Sequence, residues 1–225
     1  MERRERMESI KGKRIVVITD IHGHAAEFEE LLILCDIEMA FDTLVFLGDI
    51  VDKGPDEERC LDLLLKIQNI MQGRLVWILG NHDDKLIMEY VEGFPISRLK
   101  KETAKELLHQ HLDLYREFNE CVFVHAGYSE ENNNRFLNLM DPTVIGGHRI
   151  YSGKLFIAGH HPVENPIYID DAGNRTELVQ GMILPEKGAI FFDTSVRDES
   201  VANKGKLTAL IIENDRIIYR QVDII

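Results

Sequence analysis

Polar residues that could bind metal ions form five clusters, and each follows an apolar run that predicts a β-strand. The clusters are TDIHG (19–23), GDIVDKG (48–54), GNHDD (80–84), HAG (125–127) and GHHP (159–162). If the strands end at one edge of a sheet, these side chains converge there, and their charges repel unless cations lie between them. Carboxylate, imidazole and amide donors without cysteine favour Mn, Fe or Zn over a thiolate site.

A pair of such cations would give these clusters a hydrolytic chemistry. Two divalent ions roughly 3.5–4 Å apart need a bridging carboxylate, and they can hold a hydroxide that attacks phosphorus in line. Taken singly, each cluster is more often an ordinary polar loop than a pair of ligands. Because all five follow predicted strands, their combination predicts a two-metal phosphoesterase centre.

The strands and helices that must position the clusters alternate along the first part of the chain. Apolar runs at 14–19, 43–47 and 74–79 predict buried strands, and helical spacing at 24–35 and 56–70 predicts the helices between them. This alternation predicts βαβαβ units and a mainly parallel sheet, with the site in the loops at the carboxyl ends of its strands.

The second part of the chain begins with a helical pattern and continues with strands. Residues 82–118 have helical periodicity with one break at 93–95, and we expect them to cap the sheet. The runs at 121–127 and 154–162 repeat the strand-then-loop pattern. Residues 163–225 are rich in short strands, and an Asn-Asp pair near the end predicts a hairpin turn.

The domain organisation follows from the lack of repeats, low-complexity segments and linkers. We expect a charged N-terminal arm at 1–12 and a single domain at 13–225, a size that one core can serve. No apolar run approaches the roughly 18 residues of a membrane span. The arm has no apolar segment of a secretory signal, so the sequence predicts a cytoplasmic protein without a membrane partner.

Charge and cysteine content exclude several classes of function. The net charge of −13 argues against extended nucleic-acid binding, which needs clustered Lys and Arg, although a local anion site stays possible. Cys35, Cys60 and Cys121 are far apart and form no CxxC motif. They are expected to be buried free thiols in a reducing compartment.

Taken in order, the motifs DIHG, GDIVDKG, GNHD, HAG and GHH resemble those of the calcineurin-like metallophosphoesterases. The resemblance runs from about 14 to 212 and is closest to the branch of phosphoprotein phosphatases, including bacterial and phage-type serine/threonine phosphatases, and diadenosine tetraphosphatases. The late FFDTSV and GKLTALII segments resemble its closing strands. The resemblance implies a four-layer α/β/β/α sandwich, in which helices flank two mixed sheets, and two divalent metal ions: Mn2+ foremost, with Fe or Zn as options.

The resemblance also implies a role for individual metal donors. Asp20 and His22 would hold the first metal, and Asp49 would bridge both. The second metal would take Asn81, His125 and His160. Two alternatives stay open: the side chain of Asn81 could instead cap a helix N-terminus, and His161 competes with His160 because both follow the same glycine.

Catalytic and phosphate-binding roles are assigned in the same way. His82 would be the general acid that protonates the leaving-group oxygen, with Asp52 orienting its ring. A neighbouring carboxylate is expected to raise the pKa of the His82 imidazole and to fix its tautomer. Lys53 stands where the family usually has Arg and would neutralise a phosphate oxygen as a point charge. Arg149 is a candidate phosphate clamp, with a solvated loop arginine as the equal alternative.

Asp83 replaces the glutamate that usually ends the GNHE motif, a change expected to matter little.

Three functions compete on this basis. The first is a phosphomonoesterase resembling a phosphoserine/phosphothreonine protein phosphatase, which is favoured because the acidic, amide-rich segment 128–136 does not invite a polyphosphate. The alternative is a bis(5'-nucleosyl)-tetraphosphatase, so the expected partner is a phosphorylated protein or a nucleoside polyphosphate. A non-catalytic scaffold is remote because His82 and Asp52 are both present. The sequence does not indicate an oligomeric state.

Overall fold

The computed structural model describes residues 9–110, 112–127, 153–195 and 205–225. The helices in these ranges are α1 (Ala25–Leu34), α2 (Glu57–Met71), α3 (Asn81–Val91) and α4 (Arg98–His109). The first strands are β1 (Ile15–Ile18), β2 (Thr43–Phe46), β3 (Leu75–Trp77), β4 (Tyr115–Glu117), β5 (Cys121–Val124) and β6 (Leu155–Ala158). The later strands are β7 (Ile167–Ile169), β8 (Arg175–Glu177), β9 (Met182–Ile183), β10 (Gly188–Phe191), β11 (Lys206–Glu213) and β12 (Arg216–Asp223).

The described strands form two mixed sheets of six strands each. The first has the order β3-β2-β1-β11-β12-β9, in which β1, β2 and β3 are parallel and β11 is antiparallel to β1. The second has the order β4-β5-β6-β10-β7-β8, in which β5, β6 and β10 are parallel. The expected α/β sandwich of two mixed sheets flanked by helices is confirmed.

Both faces of the central strands are buried, which explains why these strands read as continuous apolar runs. In β1, Val16 and Ile18 pack with the four described helices, whereas Ile15 and Val17 pack between the two sheets. The second sheet alternates in the same way, and its outer face carries a third cluster that includes Phe156. The alternation with period two therefore sets the layers of the fold.

The helical prediction for 82–118 is right for most of its length and wrong at its end. Helices α3 and α4 occupy it and are separated at the predicted break, and Ser97 caps α4 by accepting a hydrogen bond from the Lys100 amide at 3.2 Å. Beyond α4, β4 pairs antiparallel with β5, so Tyr115 lies opposite Val124. Pairing with the next strand along the chain overrides the local helical pattern here.

The hairpin near the end of the chain is confirmed. Asn214 and Asp215 both have positive φ, at 51° and 58°, and join β11 to β12. This is the backbone that a two-residue type I′ turn requires. The two-residue strand β9, which pairs with β12, was not expected.

The three cysteines are free and buried, as predicted. Burial raises the pKa of Cys35 to about 11 and that of Cys60 to about 12, and it also raises the pKa of Cys121. None of the helices in the described ranges is long and apolar enough to cross a membrane. Residues 1–8 of the expected N-terminal arm lie outside the described residues. Ile10, which was also expected in the arm, is buried between the two sheets.

Candidate active site

The motif residues lie in turns directly after strands of both sheets. Asp20 and His22 follow β1, Asp49 follows β2, and His160 follows β6. All four have positive φ, at 47°, 48°, 57° and 59°. Such angles are uncommon for residues other than glycine and mark strain that the surrounding structure must hold in place. The turns therefore place these side chains at the expense of strain in the backbone.

Two glycines let the turns approach each other. A Cβ atom on Gly80 would overlap the backbone nitrogen and the carboxylate of Asp49. A Cβ atom on Gly159 would overlap the Thr19 hydroxyl and the Asp20 carboxylate. Glycine is required at both positions because two loops meet there without room for a side chain.

The first donor group surrounds His22. Its Nε2 lies 3.7 Å from Asp49 Oδ2 and 4.0 Å from Asp20 Oδ1. Its Nδ1 donates to the Val51 carbonyl at 3.0 Å, so Nε2 carries the lone pair. The potential ligand atoms of His22, Asp49 and His82 all lie within 4.8 Å of one another. Asp20, which the resemblance assigns to this metal, also accepts a hydrogen bond from the His160 amide at 3.0 Å.

The second donor group shares Asp49 with the first. Asp49, His125 and His160 have potential ligand atoms within 4.8 Å of one another. Asn81 adds its side-chain oxygen, which is 2.9 Å from His125 Nε2 and 2.9 Å from His160 Nδ1. The geometry therefore brings together the three residues expected at the second metal, with Asp49 between the two groups.

The contacts of Asn81 exclude one of its two alternatives, the helix cap. Helix α3 begins at Asn81, and its N-cap is Gly80, so the Asn81 side chain does not cap the helix. The carboxylate of Asp83 accepts the Gly80 amide at 3.3 Å instead. The helix end thus leaves the Asn81 oxygen facing the histidines.

The donor atoms fit divalent cations. His125 Nδ1 donates to the Leu47 carbonyl at 2.8 Å, so its Nε2 is a lone-pair atom facing the lone pairs of the Asn81 oxygen. Two facing acceptors repel unless a cation contacts both. Borderline metals such as Mn, Fe and Zn bind this set of oxygen and imidazole donors.

Burial controls the protonation of these groups. It lowers the pKa of His22 to about 3 and that of His160 to about 4, and it lowers the pKa of His125 well below its usual value. The neutral imidazole that binds metal is therefore favoured. Burial also raises the pKa of Asp49, with the charges of Asp20 and Asp83 adding to the shift. A crowded, buried carboxylate of this kind is stabilised in its charged form by a cation.

The expected acid pair joins His82, a member of the first donor group, to Asp52. His82 Nδ1 lies 2.9 Å from Asp52 Oδ2, and the His82 ring packs edge-on against His22 with 4.9 Å between centroids. The expected rise in the pKa of His82 is wrong: burial lowers this pKa and outweighs the hydrogen bond that His82 donates to Asp52. Burial opposes ionisation of Asp52 as well, but the hydrogen bond and charge of His82 lower the pKa of Asp52 overall.

The other predicted site residues have different surroundings. Lys53 Nζ lies 3.0 Å from His22 Nε2, so this cation points at the donor group. His161 belongs to neither donor group, and its ring packs between His160 and Phe191 at centroid distances of 5.4 and 5.7 Å. Arg149 lies outside the described residues.

Three residues matter more than the sequence suggested. Asp83 accepts the amides of Asp49 at 2.9 Å and Ile50 at 3.0 Å, so it holds the turn that carries the shared carboxylate. Asp193, after β10, is buried beside the site. The pKa of Asp20 is raised mainly by burial and next by the charge of Asp193. The FFDTSV segment, which resembles a closing strand of the family, was the sequence signal that could have indicated Asp193. Lys100 Nζ on α4 lies 3.8 Å from Asp52 Oδ1, and no local pattern indicated this contact.

Comparisons with known proteins agree with this arrangement. The family model described as calcineurin-like phosphoesterase matches residues 13–190. The asymmetrical bis(5'-nucleosyl)-tetraphosphatase of Oceanobacillus iheyensis is 28% identical over 146 residues, which cover 52% of this chain and 57% of that protein. Serine/threonine-protein phosphatase 1 of Salmonella typhimurium is 32% identical over 79 residues, which cover 35% of this chain and 34% of that protein.

A solved structure shares the fold over nearly the whole chain. The metallophosphoesterase from Sphaerobacter thermophilus matches with a TM-score of 0.63 and 18% identity, covering 95% of this chain and 89% of that one. The sequence matches are shorter. This chain spans between 25% and 57% of the length of four curated tetraphosphatases that it matches.

Proposed function

Because the chain belongs to the calcineurin-like phosphoesterase family, we propose that it is a metal-dependent hydrolase of phosphate esters or anhydrides. One observation carries this proposal: two groups of potential donors share Asp49, and His82 of the first group pairs with Asp52. A scaffold that had lost activity would not need the acid pair. The proposal therefore places chemistry at this point of the fold.

The donors divide into two sets, as the resemblance implies. Asp20, His22 and Asp49 would hold one cation, while Asn81, His125 and His160 would join Asp49 around the other. When bound, the two cations would neutralise the phosphoryl oxygens and activate a water molecule as the nucleophile. Mn2+ is the first metal to test, with Fe and Zn as alternatives.

The chain itself supplies the proton for the leaving group. Asp52 holds His82 through Nδ1, so the Nε2 proton of a charged His82 is free to move to the leaving-group oxygen. The His82 amide donates to Asp49 Oδ1 at 2.9 Å, which ties the acid to the shared carboxylate. Lys53 would bind a phosphoryl oxygen, and Arg149 stays a proposed phosphate clamp.

Two substrate classes compete for this centre. A phosphoserine or phosphothreonine protein is the preference from the sequence, and the similarity to the Salmonella typhimurium phosphatase supports it. That preference rests on segment 128–136, which lies outside the described residues. A bis(5'-nucleosyl) tetraphosphate is supported by the similarity to the Oceanobacillus iheyensis enzyme. We also propose that the protein works in the cytoplasm without an extended nucleic-acid partner.

The test is a parallel assay of three substrates on the protein after chelation and again with added Mn2+. The substrates are p-nitrophenyl phosphate, a phosphothreonine peptide and diadenosine tetraphosphate. We expect turnover only with metal, and the substrate with the highest kcat/KM identifies the class. If all three stay intact while two bound metal equivalents are measured, the proposed hydrolase is wrong.

A further inference from the structure

A cleft of about 420 Å³ opens beside the acid pair, between α3, α4 and the turn after β2. Its lining residues are Val51, Asp52, His82, Lys85, Leu86, Glu89, Pro95, Ile96, Ser97 and Lys100. The lining includes both members of the acid pair and none of the six proposed metal donors. The cleft therefore adjoins His82 and Asp52 without being lined by any of the six proposed metal donors.

This position relates the cleft to one part of the reaction. The phosphoryl group that is attacked must lie at the metal donors, whereas His82 must contact the oxygen that leaves. Whatever is attached to that oxygen extends past His82. Because the cleft begins at His82 and Asp52, it lies where a leaving group would extend.

The surface of the cleft indicates what leaving group it fits. Val51 and Leu86 are buried and apolar, and Pro95 and Ile96 add apolar surface from the α3–α4 connection. Lys85, Glu89, Ser97 and Lys100 supply polar side chains around it. Small-molecule sites combine an apolar surface with a few polar groups in this way, and their volumes start at roughly 300 Å³. A flat ring with a polar edge matches the combination.

An extended peptide fits less well. Peptides that bind as strands take backbone hydrogen bonds from a sheet edge, but the lining residues lie on helices and turns and none lies in a described strand. With a phosphopeptide, the leaving group would also be the neutral hydroxyl of the dephosphorylated peptide. Lys85 and Lys100 lie next to the acid pair, where they face Glu89 at 4.0 Å and Asp52 at 3.8 Å, and such partly exposed cations can also contact a leaving group that carries phosphate charge.

We propose that this cleft is the leaving-group subsite and that it binds the nucleoside of a nucleoside polyphosphate. The base would lie against Leu86 and Ile96, and Lys85 and Lys100 would face the phosphates that leave with it. The inference rests on the proposed hydrolase and decides between its two substrate classes.

Adenosine tests the cleft independently of the metal centre, because it has no phosphate. We expect adenosine added to the chelated protein to shift the methyl NMR signals of Leu86 and Ile96 in a saturable way. Ile96→Asp should weaken this binding about tenfold or more, since a charge replaces apolar contact. The matched control is Ile70→Asp on α2, where the side chain is 59% exposed and outside the cleft. Shifts that are absent, or equally weakened in both variants, would overturn the proposal.

Kinetics on the metal-loaded protein separate this proposal from the proposed function. Ile96→Asp should lower kcat/KM for diadenosine tetraphosphate at least about tenfold more than for the phosphothreonine peptide, whose leaving oxygen carries no ring. In case Ile96→Asp does not fold, Lys85→Glu, at a lysine side chain that is 65% exposed, should give about a two- to fivefold preferential loss. Its control is Lys101→Glu, an exposed position on α4 outside the cleft.

Each outcome has a separate meaning. Metal-dependent hydrolysis of p-nitrophenyl phosphate without hydrolysis of diadenosine tetraphosphate refutes the nucleoside subsite and leaves the hydrolase intact. If Ile96→Asp lowers kcat/KM more for the phosphothreonine peptide than for diadenosine tetraphosphate, the cleft binds a peptide, and the proposal is also refuted. Loss of all metal-dependent turnover in the unchanged protein refutes the hydrolase, and the adenosine titration still decides whether the cleft binds a nucleoside.

Discussion

The proposed metal donors are buried, whereas the acid pair beside them is partly exposed. The carboxylates of Asp20 and Asp49 are 1% and 2% exposed, against 23% for the His82 side chain and 38% for Asp52. Buried charges interact strongly, and exposed charges are screened by water. Substitutions in the metal centre should therefore act as all-or-none changes, and those around the acid pair should have graded effects.

The largest effect is expected for Asp49→Asn, which removes the charge shared by both donor groups. The variant should lose metal and activity together, as measured by metal content and by hydrolysis of p-nitrophenyl phosphate. At a pH where the metal-free carboxylate is charged, the chelated variant should melt about 2–4 °C above the chelated parent protein, because a buried charge near Asp20 and Asp83 is removed. A variant that still holds two equivalents would refute the bridging role.

The next effect is expected for His82→Asn, on the exposed side. Turnover should fall by about 10²–10⁴, the usual contribution of a general acid, while two metal equivalents stay bound. Asp52→Asn should have the smaller effect of about 10–10², because it acts through the orientation of His82. Near-parental turnover in metal-loaded His82→Asn would contradict the assigned role.

The pH dependence of metal binding tests the buried side. Burial raises the pKa of Asp20 and Asp49, so these groups hold protons at a pH where free aspartate has lost them. The pKa values of about 3 for His22 and about 4 for His160 mean that these rings are already neutral at pH 6. Mn2+ must displace carboxyl protons wherever these groups still hold them, so its affinity should rise with pH by about tenfold per unit for each proton released, with little contribution from the histidines at pH 6 and above.

Calorimetry in two buffers of different ionisation enthalpy measures these protons. A binding heat that is the same in both buffers at pH 6 would show that the carboxylates were already charged. The comparison between a crowded buried side and a screened exposed side would then need revision.

The smallest effect is expected for Lys100→Met, at a side chain that is 41% exposed. Lys100 lies 3.8 Å from Asp52 and 3.7 Å from Glu57, so its removal should lower kcat for p-nitrophenyl phosphate only about two- to fivefold. The alkaline limb of the pH profile should also move, because a charge that acts on Asp52 is lost. Lys101→Met is the matched control, and a hundredfold loss in Lys100→Met would mean that this side is not graded.

Much of the fold was predictable because it depends on local periodicity. Strands such as β1 and β2 were recognised from apolar runs that bury both faces, and the Asn214–Asp215 turn from its residue types. Strand β4 was missed because its identity depends on pairing with β5, a partner that periodicity does not report.

The candidate site divides in the same way. The donor types and their positions after strands can be read from the sequence, because strand ends and motifs are local. Asp83 and Lys100 gained their roles only through contacts across the fold. The pKa of His82 was predicted in the wrong direction because its neighbour Asp52 is visible in the sequence and its burial is not.

The sequence by itself determined the donor chemistry, the order of the strands and helices that carry it, and the family. The tertiary structure decided which potential donors face each other, that His82 and Asp52 pair beside them, and where a cleft opens next to this pair. The physical reason is that residue types and spacing are properties of the chain, whereas distance, burial and electrostatic surroundings arise only when remote segments pack together.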